Sequence, residues 1–281
     1  MGHTAGTKDG AAVDAAARVA VLGPTSVDGH QLTRNQRPIV AALALADGAT
    51  VSVGELLDAV WPSGAPASAR PSLQNQVTRL RRRFGTELIE TLPGGYCLGT
   101  PSDARRFETE VAPWLERGAG SDALRPLERV LSWWAGTPYE DLADLHAAEP
   151  ERARLESLQA AAADQLARCR IVVGQLRRAS LELEALVRAD PYRDQRWELL
   201  MVSLHLAQRR SDALAAYDRA AAVFERELGA EPSAALQRLR ALVVRDGALD
   251  AADWALPGLP RHQDGPVVMR LKGRCSSHRT V

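Results

Sequence analysis

Two stretches whose arginine pairs begin 32 residues apart share one plan: RRASLELEALVRADPYRDQ (177–195) and RRSDALAAYDRAAAVFERELGAEPSA (209–234). Each opens on Arg-Arg, runs through Ala and Leu at helical spacing, and closes on an acid before proline, at Asp190-Pro191 and Glu231-Pro232. Proline pushes the preceding residue out of the α region, so both stretches end a helix there. A recurring helix pair of about 32 to 41 residues cannot bury its apolar face alone and must stack on a neighbour, which is the logic of a TPR-like solenoid. Such stacks leave a concave groove suited to binding other proteins.

The same amphipathic texture fills the chain from Pro101 to Asp246. It predicts helices at about 103–117, 121–134, 148–172, 173–189, 192–207, 211–228 and 233–246. A hydrophobic content of 46% with only 5% aromatic residues points the same way. Trp133, Trp134, Trp197 and Tyr217 are expected to fill helix–helix interfaces, as large apolar residues on helices usually do.

Ahead of this region the pattern differs, and 281 residues are enough for two domains. RVAVLGPTSVDGHQL has two short apolar runs with an Asp28-Gly29 turn signal, which reads as a β-hairpin. RNQRPIVAALALADG reads as a first helix. VSVGELLDAVWPSG reads as a second, opened by a Ser52–Glu55 capping box and stopped before Pro62. ARPSLQNQVTRLRRRFG is the third, and ELIETLPGGYCLGT is a hairpin turning at Pro93-Gly94-Gly95. Strands, two helices, a basic helix and a hairpin, in that order, describe a winged helix-turn-helix. The expected fold class is therefore mainly α: a winged helix-turn-helix (α+β) over 18–100, then an all-α TPR-like domain over 101–248. A disordered leader (1–17) and a flexible basic tail (249–281) are expected to flank them.

The third helix holds five arginines and no acid. Leu73, Val77, Leu80 and Phe84 form one apolar stripe at i, i+4, i+7 and i+11. Ser72, Asn75, Gln76, Arg79, Arg82 and Arg83 face the other way. Arg, Asn and Gln are the side chains that pair bidentately with base edges, and further guanidinium groups can meet phosphates. A solvated basic face has the same composition, so the surrounding winged-helix order is what favours DNA. Residues 18–100 carry eight arginines against six acids, and this modest surplus is concentrated on that helix.

Other classes find little support. The six histidines are scattered, without HExxH or Cys-His spacing, and GxGxxG is absent, so neither an enzyme nor a cofactor nor a metal site is expected. Cys97, Cys169 and Cys275 are far apart and suit reduced thiols. The first residues lack the apolar core of a signal peptide, and no run approaches a membrane span, so a cytoplasmic location away from membranes is expected.

The runs SVGELLDAVWP, SARPSLQNQVTRLRRRFG, TLPGGYCL and LVRADPYRDQRWELLMVSLHLAQRRSDALAAYDRAAAVFERELGAEPSAAL, in this order, resemble the Streptomyces antibiotic regulatory protein (SARP) family. The resemblance covers roughly Arg18 to Asp246. It implies an OmpR-type winged helix joined to a bacterial transcriptional activation domain of TPR-like helices. It further implies a transcriptional activator that binds direct repeats in double-stranded DNA upstream of biosynthetic gene clusters, as side-by-side protomers or a homodimer, and recruits RNA polymerase holoenzyme. The recognition helix of the family corresponds to Ala69–Phe84, where Arg79 and Arg81 match arginines directed at DNA. Helical position puts Arg79 on the groove face and Arg81 at its margin, where a phosphate contact is expected; Arg70 starts the same helix. The wing turn maps onto Pro93, Gly94, Gly95 and Tyr96, and Thr91 before it is expected to donate to a phosphate.

Two departures bear on this. Pro71 lies within the recognition segment, so the helix is expected to begin at Ala69 or Arg70 with Pro71 in its first turn. No GxxxxGK[ST] loop and no receiver domain follow or precede, so a small ATP-independent member is expected. The competing reading is a TPR-like protein adaptor whose winged helix does not read DNA.

Overall fold

A computed structural model describes residues 19–245; the leader and tail expected at 1–17 and 249–281 lie outside the described residues. The chain opens on a three-stranded antiparallel sheet, β1 (Val19–Ala20), β2 (Ser26–Val27) and β3 (His30–Gln31), rather than on a single hairpin. The Gly23-Pro24 break and the Asp28-Gly29 turn each close a hairpin, β1–β2 and β2–β3, so the segment makes three strands where two were expected. Next come α1 (Arg37–Leu45) and α2 (Val53–Val60), the latter carrying the expected capping box between Ser52 and Glu55. Then come α3 (Ala69–Phe84) and the hairpin β5 (Ile89–Leu92) and β6 (Gly95–Leu98). A two-residue strand, β4 (Val51–Ser52), pairs with the outer side of β6, giving the order β4-β6-β5.

Seven further helices follow: α4 (Asp103–Glu116), α5 (Leu124–Leu131), α6 (Glu149–Val172), α7 (Leu176–Ala189), α8 (Asp194–Leu206), α9 (Arg210–Leu228) and α10 (Ala234–Val244). Among them α8 is buried along nearly its whole length, from Arg196 and Trp197 to His205. It packs against α7, α9 and α10. A helix covered on all sides shows no apolar stripe, and α8 is the central element of this stack. Trp197 is buried there and donates its indole N–H to the Pro191 carbonyl at 2.9 Å. Trp134 meets Phe107 edge-on at 5.3 Å, while Trp133 and Tyr217 lie beneath Arg106 and Arg240. Trp134, Trp197 and Tyr217 thus sit in packing positions, while Trp133 is half-buried beneath Arg106.

The described residues form two compact units, within Met1–Leu115 and Arg125–Ala163, and within Glu116–Leu124 and Asp164–Val281. Compactness therefore does not divide the chain at residue 100. The reason lies in hydrogen bonds that hold the first sheet. Asp103, at the start of α4, accepts the backbone N–H of Val21 at 2.7 Å and that of Leu22 at 3.4 Å. Asp141 accepts Thr25 N–H at 2.8 Å and lies 3.7 Å from Arg37. Ala135 and Tyr139 donate back to the Leu22 and Val21 carbonyls, each at 2.8 Å. The β1–β2 segment is too short to satisfy its own backbone, and residues 103–141 supply the partners.

Burial of the Asp103 carboxyl pushes its pKa up to about 6, against the opposing pull of the Val21 and Leu22 N–H groups. A raised carboxyl pKa means that the folded chain holds this proton more tightly than the unfolded one. Its contribution is full below about pH 4 and declines as pH rises through about 6. Asp103→Asn should flatten that part of the pH dependence. Urea unfolding at pH 4, 5, 6 and 7 should show wild type losing roughly 2–3 kcal/mol relative to the variant over that span. Parallel curves would mean that Asp103 titrates like an exposed acid.

Candidate nucleic-acid interface

Helix α3 begins at Ala69 with Pro71 in its first turn, where the missing N–H has no helical partner to lose. It ends at Gly85, whose N–H returns to the Arg81 carbonyl at 2.9 Å. Leu73, Val77, Leu80 and Phe84 are all buried, so the apolar stripe faces the core as its spacing predicts. Arg70, Gln74, Asn75, Thr78, Arg79, Arg82 and Arg83 are exposed on the rest of the surface. Ser72 and Gln76 are half-buried at the edge of the stripe. Gln74 and Thr78 are the polar residues that the sequence reading leaves out of this face. The signal for Thr78 is angular: it lies farther around the helix from the buried stripe than Gln76 does.

The partners of the arginines separate them into two kinds. Among the described residues, Arg70, Arg79 and Arg82 have neither an acidic neighbour nor a hydrogen bond. Arg83 lies over the Phe84 ring at 4.9 Å, and His30 approaches the same ring at 6.1 Å. Several arginines elsewhere are paired: Arg154 with Glu108 and Glu151, Arg219 with Glu184, Arg193 with Asp190. The basic face of α3 is thus uncompensated, since the helix carries five arginines and no acid of its own. A row of free guanidinium groups beside Asn75 and Gln74 can pair with phosphates and base edges of a duplex.

Arg81 and Thr91, both expected to meet phosphates, are bonded to each other in the free chain. Arg81 Nη2 donates to Thr91 Oγ1 at 2.7 Å and its Nε to the Ile89 carbonyl at 2.8 Å. Its guanidinium also lies 5.8 Å from the centre of the half-buried Tyr96 ring. The wing itself turns through Pro93 and Gly94 between the paired residues Leu92 and Gly95. Gly94 has φ of 97°, which the third position of a type II turn requires after proline. Gly95 is buried, and a Cβ there would come within 1.9 Å of the Val51 carbonyl oxygen. Glycine at 95 lets β4 close on β6; the exposed residues around the turn are Glu90, Thr91, Leu92, Pro93 and Gly94.

Residues 28–98 match the family model described as transcriptional regulatory protein, C terminal, and residues 102–243 match the bacterial transcriptional activator domain. Regulatory protein DnrI of Streptomyces peucetius is 30% identical over 257 residues, covering 84% of this chain and 89% of that protein. The chain belongs to the SARP family of transcriptional regulators. Transcriptional regulatory protein EmbR of Mycobacterium tuberculosis is 32% identical over 248 residues. That match covers 82% of this SARP chain and 64% of EmbR, so the chain spans less than two thirds of that relative's length. The solved structure of M. tuberculosis EmbR in complex with a low-affinity phosphopeptide superposes with a TM-score of 0.70 at 29% identity. It covers 85% of the SARP chain and 68% of the EmbR chain. The family supplies what the geometry of α3 already suggests, a DNA-binding transcription regulator with an OmpR-type winged helix and a helical activation domain. No helix among the described residues is long and apolar enough to cross a membrane.

Proposed function

We propose that this SARP protein activates a secondary-metabolite biosynthetic gene cluster by binding direct repeats near a promoter and bringing RNA polymerase to it. The uncompensated face of α3 carries the DNA part of this reading, because free arginines beside Asn75 and Gln74 suit major-groove recognition. Joined to a bacterial transcriptional activator domain, such a helix serves to bring protein to DNA. The stacked helices α7–α10 offer the surface by which polymerase, or a second protomer on the adjacent repeat, is engaged. Ser72, Gln76 and the wing tip at Gly94 contribute at the edge of the interface.

Binding should be specific and strongly salt-dependent, since each phosphate contact releases counterions. The test is an electrophoretic shift on fragments of neighbouring promoters at two salt concentrations with a scrambled competitor. Arg79→Ala should cost about 1–3 kcal/mol on the preferred site and little on the scrambled one, relaxing sequence preference. An unchanged specific affinity would remove Arg79 from the groove face. Absence of any specific shift by folded wild-type protein would favour the protein-adaptor reading instead.

A further inference from the structure

We propose that Arg81 is a positioning residue that clamps the wing to the recognition helix and sets the spacing at which the two meet DNA. The inference rests on the DNA-binding reading above, but its core is a contact within the free protein. A single guanidinium group reaches the Ile89 backbone at 2.8 Å, Thr91 Oγ1 at 2.7 Å and the Tyr96 ring at 5.8 Å. Thr91 and Tyr96 are directly opposite each other across β5 and β6, so their side chains share one face of the hairpin. The turn through Pro93 and Gly94 begins one pair later.

Arg81 therefore grips the backbone of one strand and a side chain from each strand, just below the wing tip. The other arginines of α3 make no hydrogen bond to the wing: Arg70, Arg79 and Arg82 have no partner among the described residues, and Arg83 lies over Phe84. The planar fork is what allows two donors to reach two differently placed oxygens while the plane rests near a ring. A lysine keeps the charge but cannot span that arrangement. A clamp and a phosphate contact thus respond differently to the same substitutions.

The experiment uses the full chain as wild type, Arg81→Lys, Arg81→Ala and Thr91→Val. Hydrogen–deuterium exchange is measured on the free protein, and salt-titrated affinity and hydroxyl-radical footprints on a promoter fragment that wild type shifts specifically. A clamp predicts that amides of residues 91, 92 and 94–96 exchange about tenfold faster in both Arg81 variants, while those of α3 are unchanged. Specific affinity falls about tenfold in Arg81→Lys as well as in Arg81→Ala. The losses of Arg81→Ala and Thr91→Val are not additive, and protection retreats from the wing side of the footprint. Thr91→Val preserves shape and charge, so it reads the clamp without threatening the fold. Wild-type exchange and affinity in Arg81→Lys, with the salt slope reduced by about one contact in Arg81→Ala, would overturn the clamp in favour of a phosphate contact. If wild type binds no DNA specifically, the DNA reading fails, and the exchange rates still decide whether Arg81 holds the wing.

Discussion

Leu80→Ala should lower the unfolding free energy by about 2–5 kcal/mol, while Arg82→Ala, two residues along the same helix, should change it by less than about 0.5 kcal/mol. Leu80 is only 1% exposed and lies within the stripe that seats α3 on the core, so its truncation removes apolar burial and leaves a cavity. Arg82 is exposed and without a partner among the described residues, so the folded chain loses nothing when it is shortened. DNA should report the reverse. Arg82→Ala should weaken binding to every sequence alike and reduce the salt slope by about one phosphate. Urea unfolding and affinity at several salt concentrations, on the same two variants, measure both quantities. An unchanged slope in Arg82→Ala would place this arginine outside the interface.

Asp164→Ala should cost the second helical unit about 3–5 kcal/mol, because it strands a buried cation. Arg196 is 3% exposed, and its Nε donates to Asp164 Oδ1 at 2.8 Å. The remaining partners are weaker: the Leu186 carbonyl at 3.3 Å and Asp190 at 3.7 Å. Asp190 holds the loss toward the lower end of that range. Replacing both members, as Asp164→Leu with Arg196→Met, should recover most of the loss, since neither desolvated charge is then present. Chemical denaturation of the single and double variants tests this. A single-variant loss below about 1 kcal/mol would mean that solvent reaches Arg196 once Asp164 is gone.

How legible these features are in the sequence depends on how local their causes are. The bounds of α3 follow from an apolar stripe, a first-turn proline and a terminal glycine, all contained in the segment itself. The Ser52–Glu55 cap is equally local. The strands β1 and β4 have two residues each, too few for an alternating period to register, and β4 exists only because the distant β6 pairs with it. On the polar face of α3, side-chain chemistry draws attention to Gln76, whereas helical angle favours Thr78, and Thr78 is the more exposed of the two. The Arg81–Thr91 contact spans ten residues and depends on the hairpin register, which composition does not encode. Asp103 reads as an ordinary acid at a helix start; its burial against Val21 comes from a segment some eighty residues earlier.

The ties from Asp103 and Asp141 to the first sheet bear on how such regulators can be recombined. The two family matches meet between residues 98 and 102, which makes that junction look like a natural place to exchange one DNA-reading head for another. A head grafted there would arrive with the backbone groups of its opening strands addressed to acids on the recipient side. Swaps would succeed when donor and recipient agree at positions 103 and 141, and would yield poorly folded hybrids when they do not. The folding unit that holds the winged helix in this protein is therefore longer than the family match that bounds it.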